Sequence, residues 1–118
     1  MPESMPKASE LIAAAVRYLD DELMSSLTGY HRFKTRVTIN ALNIVRRELE
    51  MSAAHEAAER ERLTAILGHI GAVEDLSREL CDRIRAGEID INNPALRDHV
   101  RRSLAEALAI NNPKWTGR

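Results

Sequence analysis

Apolar residues recur along this chain at three- and four-residue steps almost from end to end, the spacing of one face of an α-helix, and polar breaks divide them into five predicted helices. The richest runs from Tyr30 to Met51, YHRFKTRVTINALNIVRRELEM. Wound at about 100° per residue, Phe33, Val37, Ala41, Leu42, Ile44, Val45 and Leu49 spread over about half of its circumference. Arg32, Arg36, Asn40, Asn43 and Arg47 fall within a strip of about 80°. A wide apolar face beside an ordered polar line predicts the central helix of the fold.

The first helix is predicted from about Lys7 to Leu27, with Leu11, Ile12, Ala15, Val16, Leu19, Leu23 and Leu27 on one face, after a proline-bearing lead at residues 1–6. Thr28 and Gly29 close it, because glycine accepts the left-handed conformation that ends a helix. The turn is short, so the central helix should run back antiparallel. Ser52 reads as the N-cap of a third helix, Ala53 to Leu67, anchored by Leu63, Ile66 and Leu67. The alanine-rich first half of that helix is expected to be exposed or to face a partner. A fourth helix, about Ala72 to Ala86, carries Val73, Leu76, Leu80 and Ile84 with Cys81 beside them, and Gly87 closes it. In the connector that follows, Ile89 and Ile91 are expected to point inward. Asn93 and Pro94 then supply an N-cap and a first-turn proline for a fifth helix, ending near Ile110, with Leu96, Val100, Leu104, Ala107 and Leu108 on its apolar face. Residues 111–118 read as a loose tail, except that the Trp115 indole should pack on the body or on another chain, which makes it a candidate interface. The expectation is an all-α fold: a single domain over residues 7–110, an irregular bundle of about five helices.

Composition narrows the function classes. The chain has 118 residues, enough for one domain, and only 3% aromatic residues, so its core must be aliphatic. A net charge of −1 gives no general attraction to nucleic acid or to an anionic membrane. The lone Cys81 can form no internal disulfide, and with no secretory leader it fits a reducing cytoplasm. No run approaches the roughly 18 apolar residues of a membrane span.

None of His31, His55, His69 and His99 has a carboxylate three residues earlier, so the Glu-x-x-His unit of helical di-iron sites is absent and no metal is expected. His55 and Glu59 form an ordinary i,i+4 pair. Cys81 reads as a small core hydrophobe. Glycine is too sparse for a phosphate-binding loop, and no cofactor is expected. Glu48 projects into the apolar arc of the central helix, where an ionised carboxylate needs a partner such as a neighbouring arginine. The basic cluster Arg97, Arg101 and Arg102 with His99 is interleaved with Asp98 and Glu106 and reads as a solvated face.

The strip of Arg32, Arg36, Asn40, Asn43 and Arg47 admits three readings. Its guanidiniums could pair with Asp20, Asp21, Glu79 or Asp82 and fix helix packing; they could face a protein partner; or they could clamp a phosphate or carboxylate.

The segments ELIAAAVRYLDDEL, RFKTRVTINALNIVRREL, AAERERLTAILG, LCDRIRAGEIDINNPAL and AINNPKW together resemble a family of small all-helical bacterial proteins of unknown function. Members are often encoded beside an aminoglycoside-phosphotransferase-like kinase and an acyl-CoA dehydrogenase. The resemblance covers nearly the whole chain, and Arg32, Phe33, Arg36, Val37, Asn40, Leu42, Ile44, Val45, Arg47 and Glu48 carry it in the central helix. It implies a partner or a pathway rather than a reaction. The sequence thus reads as a non-enzymatic accessory or interaction protein that associates with itself or with such an enzyme. The alternative is a binder or enzyme that recognises a phosphorylated or acyl-CoA-like anion through the strip.

Overall fold

The structure, a computed structural model, describes residues 6–115. These residues are all-helical, in four α-helices rather than five: α1 (Ala8–Tyr18), α2 (Gly29–Leu67), α3 (Val73–Arg85) and α4 (Pro94–Asn111). The predicted break at Ser52 does not exist. α2 runs through it for 39 residues. A mid-helix serine costs only about 0.5 kcal/mol relative to alanine, and the alanine-rich run that follows propagates the helix without pause.

Gly29, expected to close the first helix, instead opens α2, after an extended Leu27, whereas Asn93 and Gly87 act as their residue types require. Asn93 caps α4, its Oδ1 accepting from the backbone N–H of Ala95 at 2.9 Å and of Leu96 at 3.2 Å. At the end of α3, Gly87 takes φ +78°. Its N–H donates to the Ile84 carbonyl at 3.1 Å, and that of Glu88 donates to the Arg83 carbonyl at 2.9 Å, the paired closure of a Schellman motif. The predicted first helix is α-helical only to Tyr18. It continues as a π turn (Leu19–Leu23) and a 3-10 turn (Met24–Ser26), where the Ser25 and Ser26 hydroxyls donate to the Glu22 and Leu23 carbonyls.

The chain divides into two compact units, residues 1–52 with 110–112, and residues 53–109 with 113–118. In the first, α1 and the N-terminal half of α2 form a hairpin. Arg32 reaches the Met24 carbonyl across 8 residues and Arg36 reaches Asp20 across 16, a doubling that antiparallel helices produce with distance from their turn. Met24, Ile39 and Ile110 are its buried residues. The second unit closes on Leu63, Leu67, Leu76, Leu80 and Leu96, with Ile66, Val73, Ile84 and Ile89 packed around them.

Several inward assignments need correcting. Leu11, Ile91, Val100 and Leu104 are exposed, and so is Cys81, which is no core residue. The largest correction concerns α2: Phe33 (65%), Val37 (45%), Val45 (47%) and Leu49 (47%) lie open to solvent, whereas Ile39 is only 2% exposed. The buried side of this half-helix runs through Ile39, with Thr35, Leu42 and Arg46 half-buried beside it. That side borders the polar strip. Counting apolar residues around the helix favours the opposite face, which is richer in them but faces outward.

Candidate functional site

In the first unit, three of the strip's arginines are engaged by the fold itself. Arg32 Nη1 donates to the Met24 carbonyl at 2.6 Å, and Arg36 Nη1 pairs with Asp20 Oδ1 at 3.3 Å. Arg47 Nε donates to the Ile110 carbonyl at 2.8 Å, in the last turn of α4, where carbonyls lack helical partners and a cation is favoured. Asn43 accepts from Arg46 Nε and Nη2, each at 3.3 Å, and Arg46 continues to Glu50. Asn40 is exposed. Glu48 is exposed too and has no ion-pair partner among the described residues. Burial therefore imposes no demand for an arginine beside it, contrary to expectation, because the arc that holds it is itself solvent-facing.

A polar network that the sequence reading missed lies in the second unit. Arg62 makes a bidentate pair with Glu106, Nη1 to Oε2 at 3.0 Å and Nη2 to Oε1 at 2.9 Å. Its Nη2 also donates to Ser103 Oγ at 3.2 Å, and its Nε to His99 Nδ1 at 3.0 Å. His99, Ser103 and Glu106 follow Leu96 at steps of three and four residues, so they form the inward seam of α4. The signal was present as that spacing, but it is hidden when only apolar residues are counted. Pairing with Arg62 holds the Glu106 carboxyl below the usual carboxylate range. Burial, and then the Arg62 charge, push the His99 imidazole down.

This geometry decides what His99 can do. Because Nδ1 accepts the Arg62 proton donor, the neutral ring carries its proton on Nε2 and presents a donor there. His99 and the exposed Cys81 thiol line one apolar groove between α3 and α4, together with Leu80, Ile84, Val100 and Leu104. A ring protonated at Nε2 and biased toward neutrality by burial and then by a guanidinium is not arranged to take a proton from a thiol. The groove is open and shallow, and its character is that of a packing surface.

At the turn between α2 and α3, His69 Nε2 donates to Glu79 Oε1 at 2.8 Å and Nδ1 donates to the Ile70 carbonyl at 3.1 Å. Both ring nitrogens donate only in the charged form, and the His69 pKa is raised chiefly by the Glu79 hydrogen bond. Glu79 also meets Arg83 at 2.6 Å.

Among the described residues no cluster of three or more His, Cys, Asp or Glu could hold a metal ion, and no helix is long and apolar enough to cross a membrane. The Trp115 side chain lies outside what is described. What remains unmatched is apolar: on α2, Phe33, Val37, Ala41, Val45 and Leu49 follow one another at four-residue steps as an exposed ridge.

Neither the curated proteins nor the solved structures include a match to the chain. The profile of DUF6285, a domain of unknown function, matches residues 25–115, which takes in all of α2, α3 and α4. The chain belongs to the DUF6285 family.

Proposed function

We propose that this protein is a non-enzymatic interaction domain whose contact surface is the apolar ridge on α2. The reading rests on one observation: large aliphatic and aromatic side chains stand open in a row along one helix, while the guanidiniums of the neighbouring strip are held by backbone carbonyls and Asp20. Contiguous exposed apolar surface is rare on proteins that work alone and marks contact sites. The competing reading, an anion clamp built from Arg32, Arg36 and Arg47, has less support. Two of those guanidiniums would have to abandon backbone carbonyls, Met24 and Ile110, the second in the last turn of α4.

The test uses the full chain and the double substitution Val37→Asp with Val45→Asp. Candidate partners are the chain itself and the two enzymes that the sequence resemblance implies, a phosphotransferase-like kinase and an acyl-CoA dehydrogenase. The wild type should associate with at least one of the three, and the double variant should lose that association with its circular dichroism and melting temperature unchanged. Association that survives the double substitution would contradict the reading. A thermal shift with a phosphorylated ligand, abolished by Arg36→Ala with Arg47→Ala, would favour the anion clamp instead.

A further inference from the structure

The exposed ridge has a symmetry that names its occupant. Ala41 is its central and smallest residue, with Val37 and Val45 four residues to either side and Phe33 and Leu49 eight to either side. The arc also holds two charged residues, Lys34 and Glu48, seven residues to either side of Ala41. At about 100° per residue, Lys34 and Glu48 lie about 20° to opposite sides of the Ala41 direction, and Val37 and Val45 about 40° to opposite sides. The five ridge residues and the two charges therefore each have a counterpart at the mirrored position, apolar for apolar and base for acid, while Tyr30 and Ile44 at the margin face Ser52 and Thr38 across the symmetry.

We propose that α2 packs on α2 of a second copy of this chain, antiparallel, across a two-fold axis at Ala41. This inference rests on the interaction reading above and specifies its partner. An antiparallel two-fold there sets Val37 against Val45, Phe33 against Leu49 and Lys34 against Glu48, each pairing made twice, as a self-complementary interface requires. Alanine at the crossing lets the two backbones approach, and a ridge of four-residue steps is the surface feature that lies in the grooves of a facing helix. The charges are available for the purpose. Lys34 is held only over the Tyr30 ring, with Nζ 5.9 Å from its centroid, and Glu48 has no ion-pair partner among the described residues. Most other charged side chains on α2 are paired within their own unit, as Arg36, Arg46, Arg60 and Arg62 show. A basic and an acidic residue without ion-pair partners on an otherwise apolar face select a partner with the opposite order of charges. An antiparallel copy supplies it.

The ridge with Tyr30 and Ile44 offers roughly 500 Å² per copy, below the roughly 800 Å² per partner of a standard interface, so the dimer is expected to dissociate in the micromolar range. Sedimentation equilibrium of the full chain at about 100 μM should give twice the monomer mass of 13.3 kDa. Lys34→Glu or Glu48→Lys alone sets like charges opposite each other at two places and should weaken association at least about tenfold. The combination of both should restore it, an outcome that a general loss of folding cannot mimic. Ala41→Cys in a Cys81→Ser background should form an intermolecular disulfide on mild oxidation, whereas Thr35→Cys, on the inward side, should not. A monomeric wild type at that concentration, or a double charge exchange that fails to restore the dimer, overturns the proposal. In the monomeric case, ridge-dependent binding to one of the two enzymes would leave the interaction reading standing. Its absence would remove both.

Discussion

The two units bury apolar residues in opposite ways. In the second, five leucines close on one another, and the polar residues that share their helix faces are tied together by a single guanidinium, Arg62. Among the described residues of the first, Met24, Ile39 and Ile110 are the buried ones, and its longest row of apolar side chains faces solvent. The same chain thus contains a closed leucine core, beside which Val100 and Leu104 stay open along the α3–α4 groove, and a longer apolar row on α2 that is not covered. Composition does not distinguish them; the arrangement of the helices does.

The comparison can be broken most forcefully from the core side. Leu63→Ala removes a fully buried side chain and is expected to cost about 3–4 kcal/mol, read by urea unfolding. Arg62→Ala leaves Glu106, Ser103 and His99 without their common donor in a mostly buried setting and should cost about 3 kcal/mol. Arg62→Lys should recover only part of this, since an ammonium cannot make the bidentate pair. A loss below about 1 kcal/mol in either Arg62 variant would show that the network is incidental.

Much of the fold was legible in the residues. Asn93 with Pro94, Gly68 and Gly87 mark helix ends by local chemistry that needs no tertiary context. Leu63, Leu67, Leu76, Leu80 and Leu96 are the core that periodicity indicates. The orientation of α2 and α4 was not legible. Their inward seams contain Arg46, which Asn43 and Glu50 hold on its own helix, and Arg62, His99, Ser103 and Glu106, whose burial is tolerable because of partners far away in sequence, in the case of Arg62 and Glu106 44 residues apart. A single-helix wheel assigns such residues to solvent and the apolar row to the interior. Ser52 misled for a related reason: its capping ability is real, but only where the backbone leaves the helix, and nothing there makes it do so.

Acidity separates the units further. Glu106 has a lowered pKa through Arg62, so its contribution is present above the ordinary carboxylate range and is lost as pH falls through the lowered value. His99 is also lowered, by burial first, so the folded state binds fewer protons than the unfolded one just below the ordinary histidine range. Both effects act in one direction. Stability of the second unit should fall as pH drops below about 6.5, and again below about 4.5. His99→Gln should remove the first step while retaining a side-chain acceptor for Arg62; thermal melts from pH 4 to 8 would read this.

Smaller effects follow at the edges. Asn93→Ala removes the α4 cap and should cost about 1 kcal/mol. The raised pKa of His69 means that its hold on the turn at 68–72 is full below the ordinary histidine value and is lost as pH rises through the raised one, visible as faster amide exchange there. On the ridge, Val37→Ser should change the stability of the monomer by less than about 0.5 kcal/mol while it weakens association.

Hydrogen exchange along α2 as protein concentration is raised tests the account most directly, because one continuous helix carries both the covered and the uncovered face. Amides of residues 33–49 should become more protected between about 1 and 100 μM as the ridge is covered, while those of residues 62–67 keep the same protection throughout. Protection of residues 33–49 that does not change with concentration, or that changes equally along the whole helix, would contradict it.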